Sequence, residues 1–254
     1  MTEENKKFAP VESYELPSQG KIYGVTVNPH VELRSMTIRH EMMRTSVTDN
    51  EYKLLASIIE DCMVEKPAIP VYEMHIGDFE YLLHKLRIVT YGPDYKMTTM
   101  CPFCNHIEES VVDLDTEEVI PFKEEEFNKA KEVTLTDGKV ITLKFQTPQI
   151  LDTIRNETDK LQNDSKNQNL NFELKVTLKN AIDLVDGKKL SYVELDTFVD
   201  KLSARDVNKL NNRISKLNKM VGLKNEVKYT CGKCKTDVTT FFRFGAEFFR
   251  PTED

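Results

Sequence analysis

Cys101-Pro102-Phe103-Cys104 and Cys231-Gly232-Lys233-Cys234 are the two stretches on which the reading of this chain turns. A two-residue spacing bends the backbone so that both sulfurs of a pair face one point, which makes a zinc knuckle. Two knuckles complete a tetrahedron of thiolates around one ion, with Zn–S distances near ~2.3 Å. Each pair sits in β-prone sequence, as a zinc ribbon requires. Met97 to Leu114 carries the first, while Val227 to Thr230 leads into the second and Val238 to Phe242 leads out. A thioredoxin-like redox pair would instead open a helix within a βαβ unit. The reading is therefore one structural Zn2+ per chain on Cys101, Cys104, Cys231 and Cys234, with redox-active or simply reduced thiols and another metal as the alternatives. Four thiolates close the coordination shell and leave no position for a water nucleophile. His106, beside the first pair, reads as a surface histidine, with a place as an alternative ligand.

Between Cys104 and Cys231 lie 126 residues, 105 to 230, whereas a self-contained ribbon keeps its knuckles about 15 to 20 residues apart. The intervening chain must be an insertion between the ribbon's halves. Loop-closure entropy rises only logarithmically with length, so so wide a separation is thermodynamically acceptable.

Outward from the knuckles, periodicity and caps give the rest. Residues 1–13 read as a flexible arm. Residues 14–96 hold an extended segment, with a turn at Ser18 to Gly20 and a strand from Val25 to Leu33, followed by helices. Asp49 is expected to cap a helix carrying Leu54, Leu55, Ile58, Ile59 and Cys62 on one face, which makes Cys62 a core thiol. Asp78 is expected to cap the next, with Phe79, Leu82, Leu83 and Leu86 buried. Residues 97–132 give the first half of the ribbon and an acidic linker. Residues 133–225 open with a hairpin around Asp137-Gly138, a pair suited to a tight two-residue turn. They continue as helices capped at Thr147-Pro148, Ser191 and Ser203, with Glu194 completing a capping box. One helical stripe is expected to run Leu174, Leu178, Ala181, Ile182 and Val185, and Gly222 is expected to end the last helix. Residues 226–254 supply the second half of the ribbon and an aromatic tail with Phe241, Phe242, Phe244, Phe248 and Phe249. The expected fold is thus α+β and helix-rich, with a discontinuous zinc ribbon whose knuckles flank a hairpin and a mostly helical insertion.

Composition narrows the function. The 254 residues are 39% hydrophobic and 30% charged, with 9 glycines and a net charge of −7. That charge opposes general nucleic-acid binding, which needs a cationic surface. It is unevenly spread: residues 105–132 hold ten acidic and three basic side chains, and residues 207–235 hold eight basic and one acidic. This reads as two faces of opposite sign, either merely solvated or serving as docking surfaces. No apolar run reaches the roughly 18 to 20 residues of a membrane span or the pattern of a signal peptide, so the expected setting is a cytoplasm. No phosphate-binding glycine loop, H-E-x-x-H or G-x-S-x-G occurs, the five histidines are scattered, and no enzyme activity is expected.

Several stretches together carry a family resemblance. They are Glu15-Leu16-Pro17-Ser18-Gln19-Gly20, Leu86-Arg87-Ile88-Val89-Thr90-Tyr91-Gly92, the two cysteine knuckles, and Phe244-Gly245-Ala246-Glu247-Phe248-Phe249-Arg250-Pro251. From about residue 14 to 251 the chain resembles the baseplate hub and hub-assembly proteins of T4-like contractile-tailed bacteriophages. The resemblance implies a non-enzymatic structural or assembly role, other baseplate or hub proteins as partners, and a life in the host cytoplasm during assembly or in the virion tail. A zinc-ribbon factor using Lys216, Lys219, Lys224, Lys228, Lys233 and Lys235 to bind nucleic acid is the competing reading. The Phe-rich end is expected either to dock into a neighbouring subunit or to pack over the protein's own ribbon.

Overall fold

A computed structural model describes residues 11–163, 170–241 and 246–249. The chain is a mixed α and β structure in which helices outweigh strands, arranged around two hydrophobic cores.

The first core begins with β1 (Val11–Glu15) paired antiparallel to β2 (His30–Arg34), Tyr14 facing Val31. The strand expected from Val25 starts only at His30, because Pro29 has no N–H to give and its carbonyl accepts from Leu16 N–H at 2.8 Å. Three helices follow: α1 (Ile38–Arg44), α2 (Glu51–Cys62) and α3 (Ile76–Tyr91). Leu55, Ile58, Ile59, Cys62, Phe79, Leu82, Leu83 and Leu86 are all buried between them, as their spacing predicts.

Both expected caps in this region are displaced. Asn50, not Asp49, precedes α2, and its side chain does not cap. The orphan N–H groups of Tyr52 and Lys53 instead donate to the Asp152 carboxylate at 3.4 and 3.0 Å, from a helix a hundred residues away. For α3 the cap is His75, whose Nδ1 accepts from Gly77 N–H at 2.9 Å. Asp78 lies within the first turn, buried.

The second core is built on a three-stranded antiparallel sheet in the order β5 (Glu132–Thr134), β6 (Val140–Leu143), β7 (Ile182–Val185). Around it pack α4 (Glu124–Ala130), α6 (Glu173–Ala181), α7 (Tyr192–Asp200) and α8 (Ala204–Asn218), while α5 (Pro148–Gln162) leans on both α2 and α6. Thr147, Ser191 and Ser203 cap α5, α7 and α8 with their side chains, and Ser191 with Glu194 forms the capping box.

Three sequence expectations change here. The β5–β6 hairpin closes with three residues, because Leu135 N–H donates to Lys139 O at 2.8 Å and only Gly138 takes a positive φ, +89°. The stripe through Ile182 and Val185 is not one helix. The helix stops at Ala181 and Ile182–Val185 becomes the strand that covers the open edge of β6. Gly222 lies beyond the end of α8, and its role is close packing: a Cβ on Gly77 would sit 2.0 Å from the Val221 carbonyl oxygen, so α3 and the 221–222 segment meet backbone to backbone.

That contact is also where the two cores join. Beside it, the His75 ring lies 5.2 Å from the Phe145 centroid and 5.9 Å from Phe127, with Tyr23 edge-on to Phe145 at 6.0 Å.

Candidate metal centre

Two hairpins that are far apart in sequence carry the cysteines. The first is β3 (Asp94–Met100) paired with β4 (Ile107–Asp113), and the second is β8 (Glu226–Thr230) paired with β9 (Asp237–Phe241). Each is a separate two-stranded sheet. Their tips repeat one backbone pattern. Cys101 N–H donates to His106 O at 2.8 Å, Asn105 N–H donates to Cys101 O at 2.9 Å, and Asn105 takes φ +55°. In the second tip Cys231 N–H donates to Thr236 O at 3.0 Å, Lys235 N–H donates to Cys231 O at 3.0 Å, and Lys235 takes φ +59°. The left-handed residue turns each chain back so that both cysteines of a pair point the same way.

The fold brings all four sulfurs together. Cys101 Sγ lies 3.7 Å from Cys234 Sγ, and Cys104 Sγ lies 3.7 Å from Cys231 Sγ. All four fall within 4.8 Å of one another, and all are free thiols. A metal–sulfur tetrahedron with bonds of ~2.3 Å has sulfur–sulfur edges of about 3.8 Å, so the donor set has the size and chemistry for such an ion. Cys101 and Cys231 are buried, Cys104 is half-buried and Cys234 is exposed. The Thr236 hydroxyl, with Cys234 Sγ 3.4 Å from its oxygen, and the Thr236 amide bring the Cys234 thiol down to about 6. The His106 backbone amide favours the Cys104 thiolate, but burial and the neighbouring sulfurs outweigh it and push that thiol up to about 12. His106 thus contributes backbone groups, and its ring is not part of the cluster. A second tie links the hairpins: Gly232 N–H donates to both Glu108 carboxylate oxygens, at 3.2 and 3.1 Å. Cys62 lies apart in the first core, where burial raises its thiol to about 12.

The hairpins are positioned by groups that sequence reading passed over. Arg87, fully buried in α3, donates to Gly92 O and Asp94 O, each at 3.3 Å, and its guanidinium lies over the Tyr91 and Tyr95 rings at 4.9 and 5.6 Å. It fixes the bend by which α3 enters β3. Asp78 accepts from Ser18 N–H at 2.9 Å and from the Ser18 and Tyr23 hydroxyls, which fastens the 16–23 loop onto α3. The signal available in sequence was a charge inside an apolar helical stripe, Asp78 beside Phe79 and Arg87 between Leu86 and Ile88; the partners lay elsewhere in the chain.

The acidic and basic segments run beside one another: Lys224 pairs with Glu118, Lys224 N–H donates to Glu118 O at 3.0 Å, and Ile120 N–H donates to Gly222 O at 2.9 Å. Of the tail phenylalanines, Phe248 and Phe249 are buried in the first core, with the Phe248 ring 6.2 Å from His84 and 5.1 Å from Tyr95. These two serve the protein's own interior and are not available for docking. Phe241 is exposed, and Phe242 and Phe244 lie outside the described residues.

Two cores and a four-cysteine cluster that draws the middle of the chain to its end define a mixed α and β protein with a candidate metal site. The family model described as T4 bacteriophage base plate protein matches residues 10–250, and the chain belongs to that family. It is accordingly a structural baseplate protein of a phage tail. No curated protein and no solved structure matches it. Among the described residues no helix is long and apolar enough to cross a membrane.

Proposed function

We propose that this protein builds or helps to assemble the hub of the baseplate, as a non-enzymatic component whose partners are other baseplate or hub proteins. Its folded form is clasped by one structural Zn2+ on Cys101, Cys104, Cys231 and Cys234. The carrying observation is the approach of four sulfurs to within 4.8 Å across a 127-residue separation. When bound, the ion supplies a closed tetrahedral thiolate shell, in which the paired hairpins serve as a discontinuous zinc ribbon. Its contribution is on the order of 10 kcal/mol of folding free energy, because the unfolded chain has no preformed site. The competing reading is a zinc-ribbon factor that binds nucleic acid through the basic segment, of which Lys224 is paired with Glu118.

Elemental analysis of the purified chain should give one zinc per molecule. A strong chelator, or Cys231→Ser, should lower the melting temperature of the whole protein. An unchanged melt after verified metal removal would overturn the clasp. For the hub role, host cells infected with phage lacking this gene should accumulate no complete baseplates by electron microscopy. Normal baseplates in those cells would refute it.

A further inference from the structure

The helix α8 carries its charge differently from its neighbours. Arg155 of α5 lies 3.6 Å from Glu51, and Lys175 and Lys179 of α6 pair with Asp196 of α7. On α8 the one acid, Asp206, is buried and accepts from Thr136 and Ser203. The exposed side runs Arg205, Lys209, Asn212, Lys216 and Lys219, the last at the C-terminal cap. These positions alternate by four and three, so they fall on one line along the helix, about 21 Å long by the rise of an α-helix. Lys209 donates to Thr134 O, a neutral acceptor that leaves its charge uncompensated. Among the described residues the side chains of Arg205, Asn212, Lys216 and Lys219 make no hydrogen bond or ion pair.

Helix stability does not account for this line. Like charges four apart, Arg205 with Lys209, and three apart, Lys216 with Lys219, oppose helix formation. The helix dipole favours cations in the last turn, where Lys216 and Lys219 stand, but acids in the first, where Arg205 stands. The surroundings limit what can lie on the line. α4 packs against α8 and opens with exposed Glu124, Glu125 and Glu126, while β5 brings exposed Glu132 to the other contact. Glu126 pairs with Lys123, and among the described residues none of the four pairs with a cation of α8. A nucleic-acid duplex broad enough to cover α4 or β5 as well would bring phosphates onto those carboxylates. A helix, about 10–12 Å across with its side chains, spans little more than α8 itself. We propose that the outer face of α8 docks an acidic helix of a partner protein, whose carboxylates follow the same four-and-three spacing against Arg205, Lys209, Lys216 and Lys219. The inference goes beyond the assembly reading and stands on α8 alone, so a result against it leaves the baseplate role and the metal untouched.

The test is fluorescence anisotropy with the full chain and three labelled probes. One is an alanine-rich helical peptide of about 22 residues with glutamates in a four-and-three line. The second is a shuffled peptide of the same composition, with its glutamates spread round the helix, and the third is a DNA duplex of similar length. At about 150 mM salt, charges farther than ~8 Å are largely screened, so the net charge of −7 does not decide a local contact. The unaltered chain should bind the lined peptide at least about tenfold more tightly than the shuffled one. Lys216→Glu with Lys219→Glu should weaken that binding by at least about tenfold, and Arg205→Glu, at the other end of the line, by about threefold. Lys188→Glu with Lys189→Glu makes the same charge change as the first pair at exposed positions elsewhere, and should bind as the unaltered chain does. All the substituted positions are exposed, and circular dichroism establishes that each variant folds. Should the Lys216 and Lys219 variant not fold, Arg205→Glu alone decides. No binding of the lined peptide, equal binding of the shuffled one, or tighter binding of the duplex overturns the proposal. So do losses in the α8 variants no larger than in the Lys188 and Lys189 control.

Discussion

Gly77→Ala tests how the two cores are joined. In the native chain a Cβ at position 77 would lie 2.0 Å from the Val221 carbonyl oxygen and 2.6 Å from its carbon, where ordinary contact begins near 3.4 Å. Both partners are backbone, so no side chain can rotate away, and α3 must withdraw from the 221–222 segment by more than an ångström. That shift pulls on the Ile120 N–H to Gly222 O bond and on the His75, Phe127 and Phe145 rings packed beside it. Overpacking in a deformable core costs about 1–3 kcal/mol, and a backbone-to-backbone clash belongs at or above the top of that range. Alanine returns at most ~1 kcal/mol through its better helix propensity. The expected net loss is about 2–3 kcal/mol, a large share of a typical total of roughly 5–15. Urea denaturation at saturating zinc, followed by circular dichroism, measures it. Gly187→Ala is the control, since Gly187 also has a positive φ, +74°, but nothing lies within 4 Å of its would-be Cβ. Its cost is the left-handed backbone alone, roughly 1 kcal/mol. If Gly77→Ala is no more destabilising than Gly187→Ala, the close packing of α3 on the 221–222 segment is wrong.

Asp152→Ala should cost about 2–4 kcal/mol, because it strands the Tyr52 and Lys53 N–H groups at the start of α2 and the Tyr72 hydroxyl, which donates at 3.0 Å. Hydrogen exchange should show the first turn of α2 opening well before the rest of the helix, and uniform protection along α2 would contradict the capping. Burial holds His75 down to about 3. Below about pH 6.5 the unfolded chain therefore takes up a proton that the folded chain refuses, so this group removes stability as pH falls from 6.5 toward 3. Relative to the unaltered chain, His75→Asn should make the pH dependence of unfolding free energy shallower by about 0.7 kcal/mol per unit at pH 6.5, rising to about 1.3 by pH 5. Parallel profiles would show that His75 is not held neutral.

What the sequence disclosed, it disclosed through short-range chemistry. A cysteine pair shapes its own turn, a serine or threonine caps the helix it precedes, and an apolar stripe repeats within a few turns, so the knuckles, Thr147, Ser191 and Ser203, and the buried faces of α2 and α3 could be read one segment at a time. The family could be read too, from motifs such as Leu16-Pro17-Ser18-Gln19-Gly20. Asp78 and Asp152 escaped because their hydrogen-bond partners, Ser18 and Tyr23 for one and the start of α2 for the other, are 55 to 100 residues distant. Ile182 to Val185 looked helical because its spacing fits both periods, and only the open edge of β6 chooses the strand. Gly222 looked like a helix terminator until Gly77 was found against it. That Glu118 pairs with Lys224 was equally hidden, since 106 residues separate them. The sequence alone determined which groups can bend, cap or bind. The tertiary structure decided which of them meet, because that choice depends on contacts whose sequence separation no local pattern records.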